Sequence, residues 1–200
     1  MAQTIGTRYG ALWEKMVKEV LSHSNIVTVG EKILYKDFVK KWTKDYVSKL
    51  DDKCCKENCT EILKSFLNVN TGTDRQDLCD LILKGNGVLQ GIDTKYRFTS
   101  NDSSKVREIA NSAKYLKYLG YEPILFFRTS REKNRKSAIN RFENNGWKLV
   151  FGKEASDFLF SQTGFNLDEW IIENVNIWSE ISEYHEYLNK IEFEKKYWEF

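Results

Sequence analysis

The sequence predicts an α/β fold, a mixed central β-sheet flanked by helices. Three observations carry that prediction. Residues 80–98 read as two short apolar strands joined at Gly85-Asn86-Gly87; Asn-Gly is the preferred pair for a two-residue type I′ hairpin, because both central residues need positive φ. After the hairpin, helix and strand patterns alternate to about residue 161, as they do where strands are covered by crossover helices. The chain has 200 residues, 41% hydrophobic and 30% charged, the size and composition of one globular domain with a sizeable core.

Each element has its own signal. Residues 8–22 form a first helix, with Leu12, Met16, Val17, Val20 and Leu21 at helical spacing. Residues 26–35 read as two short strands turning at Gly30-Glu31 or as an irregular loop. Residues 36–50 are a basic amphipathic helix, with Phe38, Val39, Trp42, Tyr46, Val47 and Leu50 as the apolar stripe. A further helix covers 57–67, with Ile62, Leu63 and Phe66 inward. The strands are 80–84 and 88–98. Ser100-Asn101-Asp102-Ser103-Ser104 then supplies helix-capping side chains, and a helix follows to Leu119, ended by Gly120. Pro123–Arg128 is uniformly apolar until its last residue, as a parallel strand covered on both faces should be. A basic helix from about Asn134 to Asn145, a strand at 147–151 and a short helix at 154–161 complete the alternation, and 167–200 is helical.

The hairpin also carries the chemistry. With Asn86 and Gly87 as the loop, Gly85 faces Val88, and counting back sets Asp80 directly across from Asp93. Lys95 is two residues beyond Asp93 and projects from the same face. Two like charges facing each other destabilise a sheet, and a cation between them removes the penalty. Asp51-Asp52-Lys53 and Glu194-Lys195-Lys196 share the pattern acid-any-lysine. Neither sits in an apolar strand behind an Asp-led hairpin arm, so each reads as exposed ion pairing.

Asp80, Asp93 and Lys95, with the run Gly91-Ile92-Asp93-Thr94-Lys95-Tyr96-Arg97-Phe98 followed by a helix and a second buried strand, resemble the PD-(D/E)XK nucleases, and within them the type II restriction endonucleases. Cys79 stands where the motif name has proline, and the second acid is Asp. The resemblance covers about residues 74–151, the core. Residues 36–70 are then a helical insertion and about 165–200 a helical C-terminal region of a single nuclease domain spanning 1–200. The resemblance implies a restriction-endonuclease-like core, Mg²⁺ held by Asp80 and Asp93 with the Thr94 carbonyl, and Lys95 as an electrostatic stabiliser. Glu14, on the first helix, either reaches the metal, as helix glutamates do in that group, or faces solvent. The implied partners are double-stranded DNA, a second copy of the chain on palindromic sites, and a cognate DNA methyltransferase in the same cell. A repair or recombination nuclease with the same core, such as a junction resolvase, is one alternative; a non-catalytic DNA-binding module is another.

Charge suggests where DNA would lie. Residues 128–148 carry seven Lys or Arg against two Glu, and 168–200 carry nine acids against three Lys. Candidate DNA contacts are Lys40, Lys41 and Lys44 on the first basic segment, Arg97 beyond the hairpin, and Arg131, Arg135 and Lys136 on the second. For each, a solvated surface charge or a structural ion pair is the plainer reading. Cys54, Cys55 and Cys59 crowd into six residues, but with only His23 and His185 in the chain they read as free thiols rather than a zinc site. No phosphate-binding loop or dinucleotide fingerprint is present. No apolar run reaches a membrane span, and the N-terminus lacks a signal-peptide core, so the expectation is a cytoplasmic protein without membrane partners.

Overall fold

The computed structural model describes residues 2–49, 61, 77–85 and 87–174. Most of the expected helix at 57–67, Cys54, Cys55, Cys59, Asn86 and everything beyond 174 lie outside them. The described elements run in the order α1 (Ala2–Ser22), β1 (Thr28–Gly30), α2 (Tyr35–Val47), β2 (Leu81–Gly85), β3 (Val88–Lys95), α3 (Ser103–Leu119), β4 (Glu122–Phe127), a 3₁₀ turn (Arg131–Lys133), α4 (Lys136–Asn144), β5 (Lys148–Phe151), α5 (Lys153–Thr163) and α6 (Leu167–Asn174). The five strands form one mixed sheet in the order β1-β2-β3-β4-β5. Pairing is antiparallel from β1 to β3 and parallel from β3 to β5. This is the α/β architecture expected from the sequence, and it is consistent with a restriction-endonuclease-like core.

The alternation of side chains explains why both faces are covered. In β4, Ile124 and Phe126 join a cluster with Trp13, Val17 and Leu21 of α1, Leu159 of α5 and Leu167 of α6. Leu125 and Phe127 point the other way, to Ala110, Ala113 and Leu116 of α3 and Ile139 and Phe142 of α4. All four β4 side chains have no exposed area, and burying each contributes about 1.5–3 kcal/mol. Helix α3 starts at its Asp102 cap, whose carboxylate accepts from the Ser104 and Lys105 amides at 2.8 and 3.4 Å. It ends where Gly120 takes φ 93°, a conformation that a β-carbon disfavours.

Three expectations change. The α1 stripe is rotated: Trp13 is buried beside Val17 and Leu21, whereas Leu12 is exposed, because Trp13 offers more apolar area to the sheet. Only one short strand forms in 26–35, and Leu34 makes an isolated bridge to Asp77 instead of a second one. Helix α2 buries none of its residues. Phe38 packs on Tyr115 and Tyr118 of α3 at ring distances of 4.4 and 5.4 Å, but Trp42 and Tyr46, expected inward, are exposed and stack on each other.

Candidate active site

The β2–β3 register is the one the turn demands: Gly85 faces Val88 and Leu81 faces Ile92, and Gly87 takes φ 75°. The pairing slips at Asp80, one residue before β2. The Asp80 amide donates to the Ile92 carbonyl at 2.9 Å, and its carboxylate Oδ2 accepts from the Thr94 amide at 2.6 Å and from Thr94 Oγ1 at 2.8 Å. Asp80 is therefore not directly across from Asp93 as a ladder partner. Its side chain replaces a backbone acceptor at the open end of the hairpin, which gives the carboxylate two donors while it still meets the Asp93 carboxyl. The Thr94 hydroxyl was not anticipated; a hydroxyl between the acid and the lysine of the tripeptide was the available signal.

Asp93 and Lys95 lie near the carboxyl end of β3, paired with Leu125 and Phe127 of β4. Asp93 is 8% exposed. The Lys95 ammonium donates to Asp93 Oδ1 and, at 3.1 Å, to the Thr94 carbonyl. Burial pushes the Asp93 carboxyl up to about 8. Lys95 opposes that shift, while the charge of Asp80 and a hydrogen bond to its carboxylate add to it. Burial works against the Lys95 ammonium, but Asp93 and Asp80 outweigh it and its pKa rises. Glu14 of α1 is half-buried; desolvation and then the charge of Asp80 raise its pKa, and Lys95 lowers it. The structure thus brings Asp80, Thr94, Asp93 and Lys95 to one end of the sheet, and Glu14 of α1 feels the charges of Asp80 and Lys95. Three carboxylates against one ammonium make a negatively charged site that holds protons tightly and favours a further cation.

Among the described residues no group of three or more acid, histidine or cysteine side chains is placed to hold a metal ion. The donor chemistry nonetheless fits a hard cation such as Mg²⁺: carboxylate oxygens and a backbone carbonyl. Two of those donors, Asp93 Oδ1 and the Thr94 carbonyl, already share a cation, the Lys95 ammonium.

The other candidate residues do not join the cluster. Arg97 is exposed two residues beyond Lys95. Arg131 makes a bidentate pair with Glu143, both contacts 2.7 Å, and Arg135 donates to the Ser100 carbonyl at 2.9 Å. Lys136 is exposed at the start of α4. On α2, Lys41 pairs with Asp45 at 3.3 Å, and Lys40 and Lys44 are exposed. Arg128, counted above only as part of a basic stretch, is buried behind the site, 3.6 Å from Asp168. An arginine closing an otherwise apolar strand was the signal for it. No helix among the described residues is long and apolar enough to cross a membrane. Compared with known proteins, the chain matches no family model, and no curated sequence or solved structure is significantly similar to it.

Proposed function

We propose that the chain is a Mg²⁺-dependent endonuclease of double-stranded DNA, a type II restriction endonuclease of the PD-(D/E)XK kind that leaves 5′-phosphates. The observation that carries this reading is the meeting of Asp80, Asp93 and Lys95 at the open end of the β2–β3 hairpin, with Asp93 buried and its carboxyl bonded to the Lys95 ammonium. Asp80, Asp93 and the Thr94 carbonyl would hold Mg²⁺, with Glu14 as a further oxygen donor. Mg²⁺, when bound, supplies an acidified water and a counter-charge for the scissile phosphate. Lys95, displaced from Asp93, sets its ammonium against the negative charge that grows on the phosphate oxygens. Thr94 fixes the Asp80 carboxylate through two hydrogen bonds. Arg97 contacts a flanking phosphate. Because these residues stand on a paired hairpin within a sheet covered on both faces, their geometry is set before substrate arrives.

The test is digestion of a sequenced plasmid in Mg²⁺ and in EDTA, followed by end mapping. Discrete fragments in Mg²⁺ alone, cut at one short sequence and ending in 5′-phosphate, support the reading. An intact plasmid under both conditions removes it. Cutting at junctions or mismatches without sequence preference points to a repair or recombination nuclease. A two-fold symmetric recognition sequence fits a homodimer. Protection by methylation of that sequence fits a cognate methyltransferase in the same cell.

A further inference from the structure

Strand β3 ends at Lys95, but the residues after it stay tied to those after β4. The Lys95 carbonyl accepts from the Arg128 amide at 3.0 Å, and the Tyr96 carbonyl accepts from the Thr129 amide at 3.2 Å. The Thr129 hydroxyl donates to the same Tyr96 carbonyl at 3.2 Å. The Phe98 amide donates to Asn134 Oδ1 at 2.7 Å, and the Phe98 carbonyl accepts from the Arg135 amide at 2.9 Å. Asn134 Nδ2 in turn donates to Thr129 Oγ1 at 3.2 Å and to the Ser130 carbonyl at 2.8 Å. Asn134 is 6% exposed, and its amide uses its acceptor and both of its donor hydrogens.

Arg97 stands between the two peptide groups that this node holds. The Tyr96 carbonyl belongs to the peptide plane before Arg97, and the Phe98 amide to the plane after it. Fixing both planes fixes φ and ψ of Arg97, and with them the direction in which its side chain leaves the backbone. The side chain itself is exposed and makes no hydrogen bond or ion pair among the described residues. Arg131 and Arg135, by contrast, are already engaged. An open guanidinium on a backbone that is fixed beforehand loses less freedom when it takes a ligand. Its forked donors suit a phosphate, and Lys95 is two residues away.

We infer that Asn134 and Thr129 are positioning residues that hold Arg97 for a backbone phosphate of the DNA that meets Lys95. The inference rests on the proposed function in taking DNA as the substrate. Neither residue is a catalytic residue; both act through the Arg97 backbone.

The test uses the full chain carrying Asn134→Ala, Thr129→Val or Thr129→Ser, each alone and combined with Arg97→Ala. One readout is the salt dependence of duplex binding in Ca²⁺; the other is KM and kcat for cleavage in Mg²⁺. Arg97→Ala should lower the log–log salt slope by about 0.9, the worth of one phosphate contact. Asn134→Ala and Thr129→Val should each weaken duplex binding and raise KM by about fivefold or more, the size of a modest coupling between contacting residues, with kcat falling by less. Thr129→Ser keeps the hydroxyl and should bind as wild type does. In the Arg97→Ala background Asn134→Ala and Thr129→Val should add nothing. An unchanged slope in Arg97→Ala, penalties that persist in that background, or a lower melting temperature with unchanged DNA affinity would overturn the inference. If Asn134→Ala fails to fold, Thr129→Val against Thr129→Ser carries the same comparison. A wild-type chain that binds duplex through this coupling but never cuts it sinks the nuclease reading alone; normal cleavage with no coupling sinks the inference alone.

Discussion

The end of the β2–β3 hairpin and the stretch from Arg131 to Lys148 are both rich in charge, yet their charges do different work. At the hairpin end Asp93 is buried and paired with Lys95, with Asp80 beside them and its carboxylate held by Thr94. In the stretch, Arg131 and Glu143 neutralise each other at the surface, and Arg135 serves a loop carbonyl. Charge–charge energy scales inversely with the local dielectric constant, so the few buried groups outweigh the many exposed ones. Charge counted along a sequence does not show which cations are already spent on a neighbour.

If that contrast is right, the largest effects come from the buried set. Asp80→Ala and Asp93→Ala should each abolish Mg²⁺-dependent plasmid cleavage while DNA binding in Ca²⁺ stays near wild type. Normal turnover by either variant would take away the proposed cation site. Lys95→Ala should slow the single-turnover rate by about 10²–10³, the usual worth of one electrostatic stabiliser. Should Lys53 or Lys196 prove essential and Lys95 dispensable, the wrong acid-any-lysine tripeptide has been chosen.

A medium effect concerns stability. The Asp93 carboxyl titrates near 8 in the folded chain and near 3.8 as an ordinary aspartate. Between those values the folded state binds more protons than the unfolded one, so stability falls as pH rises from about 4 to about 8. Above that the loss is complete. Asp93→Asn removes the titration. In the absence of divalent metal its melting temperature should match wild type near pH 4 and exceed it at pH 8.5, by up to a few kcal/mol of stability, with cleavage lost. A melting temperature that changes with pH over this range no differently in wild type and in Asp93→Asn would show that the carboxyl is not held protonated by its surroundings.

The two regions also differ in how far the sequence revealed them. The Asn-Gly turn set the hairpin register, because only one pairing satisfies a two-residue loop, and the capping run before α3 and the glycine after it marked that helix to within a residue. Asp80 was read as a ladder partner of Asp93 because register counting knows only backbone pairing. The Thr94 amide and hydroxyl, which draw its side chain into the sheet plane, decide the matter locally. The burial of Arg128, signalled only by its place at the end of an apolar strand, and the exposure of Trp42 and Tyr46 escaped the sequence reading for another reason. Both depend on which helix lies opposite, α1 and α6 in one case and the partial contact of α2 with α3 in the other. Periodicity gives a stripe but not the width of what covers it.

The smallest effects belong to the surface, and they separate the two basic segments. Each phosphate neutralised by a lysine or arginine steepens the log–log salt dependence of DNA binding by about 0.9. An arginine already held by two 2.7 Å contacts to Glu143 must break that pair to reach a phosphate, so Arg131→Ala should leave the slope of duplex binding, measured in Ca²⁺, unchanged. Lys40 and Lys44 are exposed on α2 and make no ion pair among the described residues. If α2 lies along the duplex, Lys40→Gln with Lys44→Gln should reduce the slope by nearly 2, about 0.9 for each contact, and weaken binding to all sequences alike. Lys41→Gln should do less, because Lys41 is paired with Asp45 and lies over the Tyr118 ring. The reverse pattern, a flattened slope for Arg131→Ala and none for the α2 pair, would mean that Glu143 yields its partner to DNA and that the basic stretch after β4, not α2, follows the phosphate backbone. The strand-end chemistry would survive that result, since it depends on Asp80, Asp93 and Lys95 and on no surface cation.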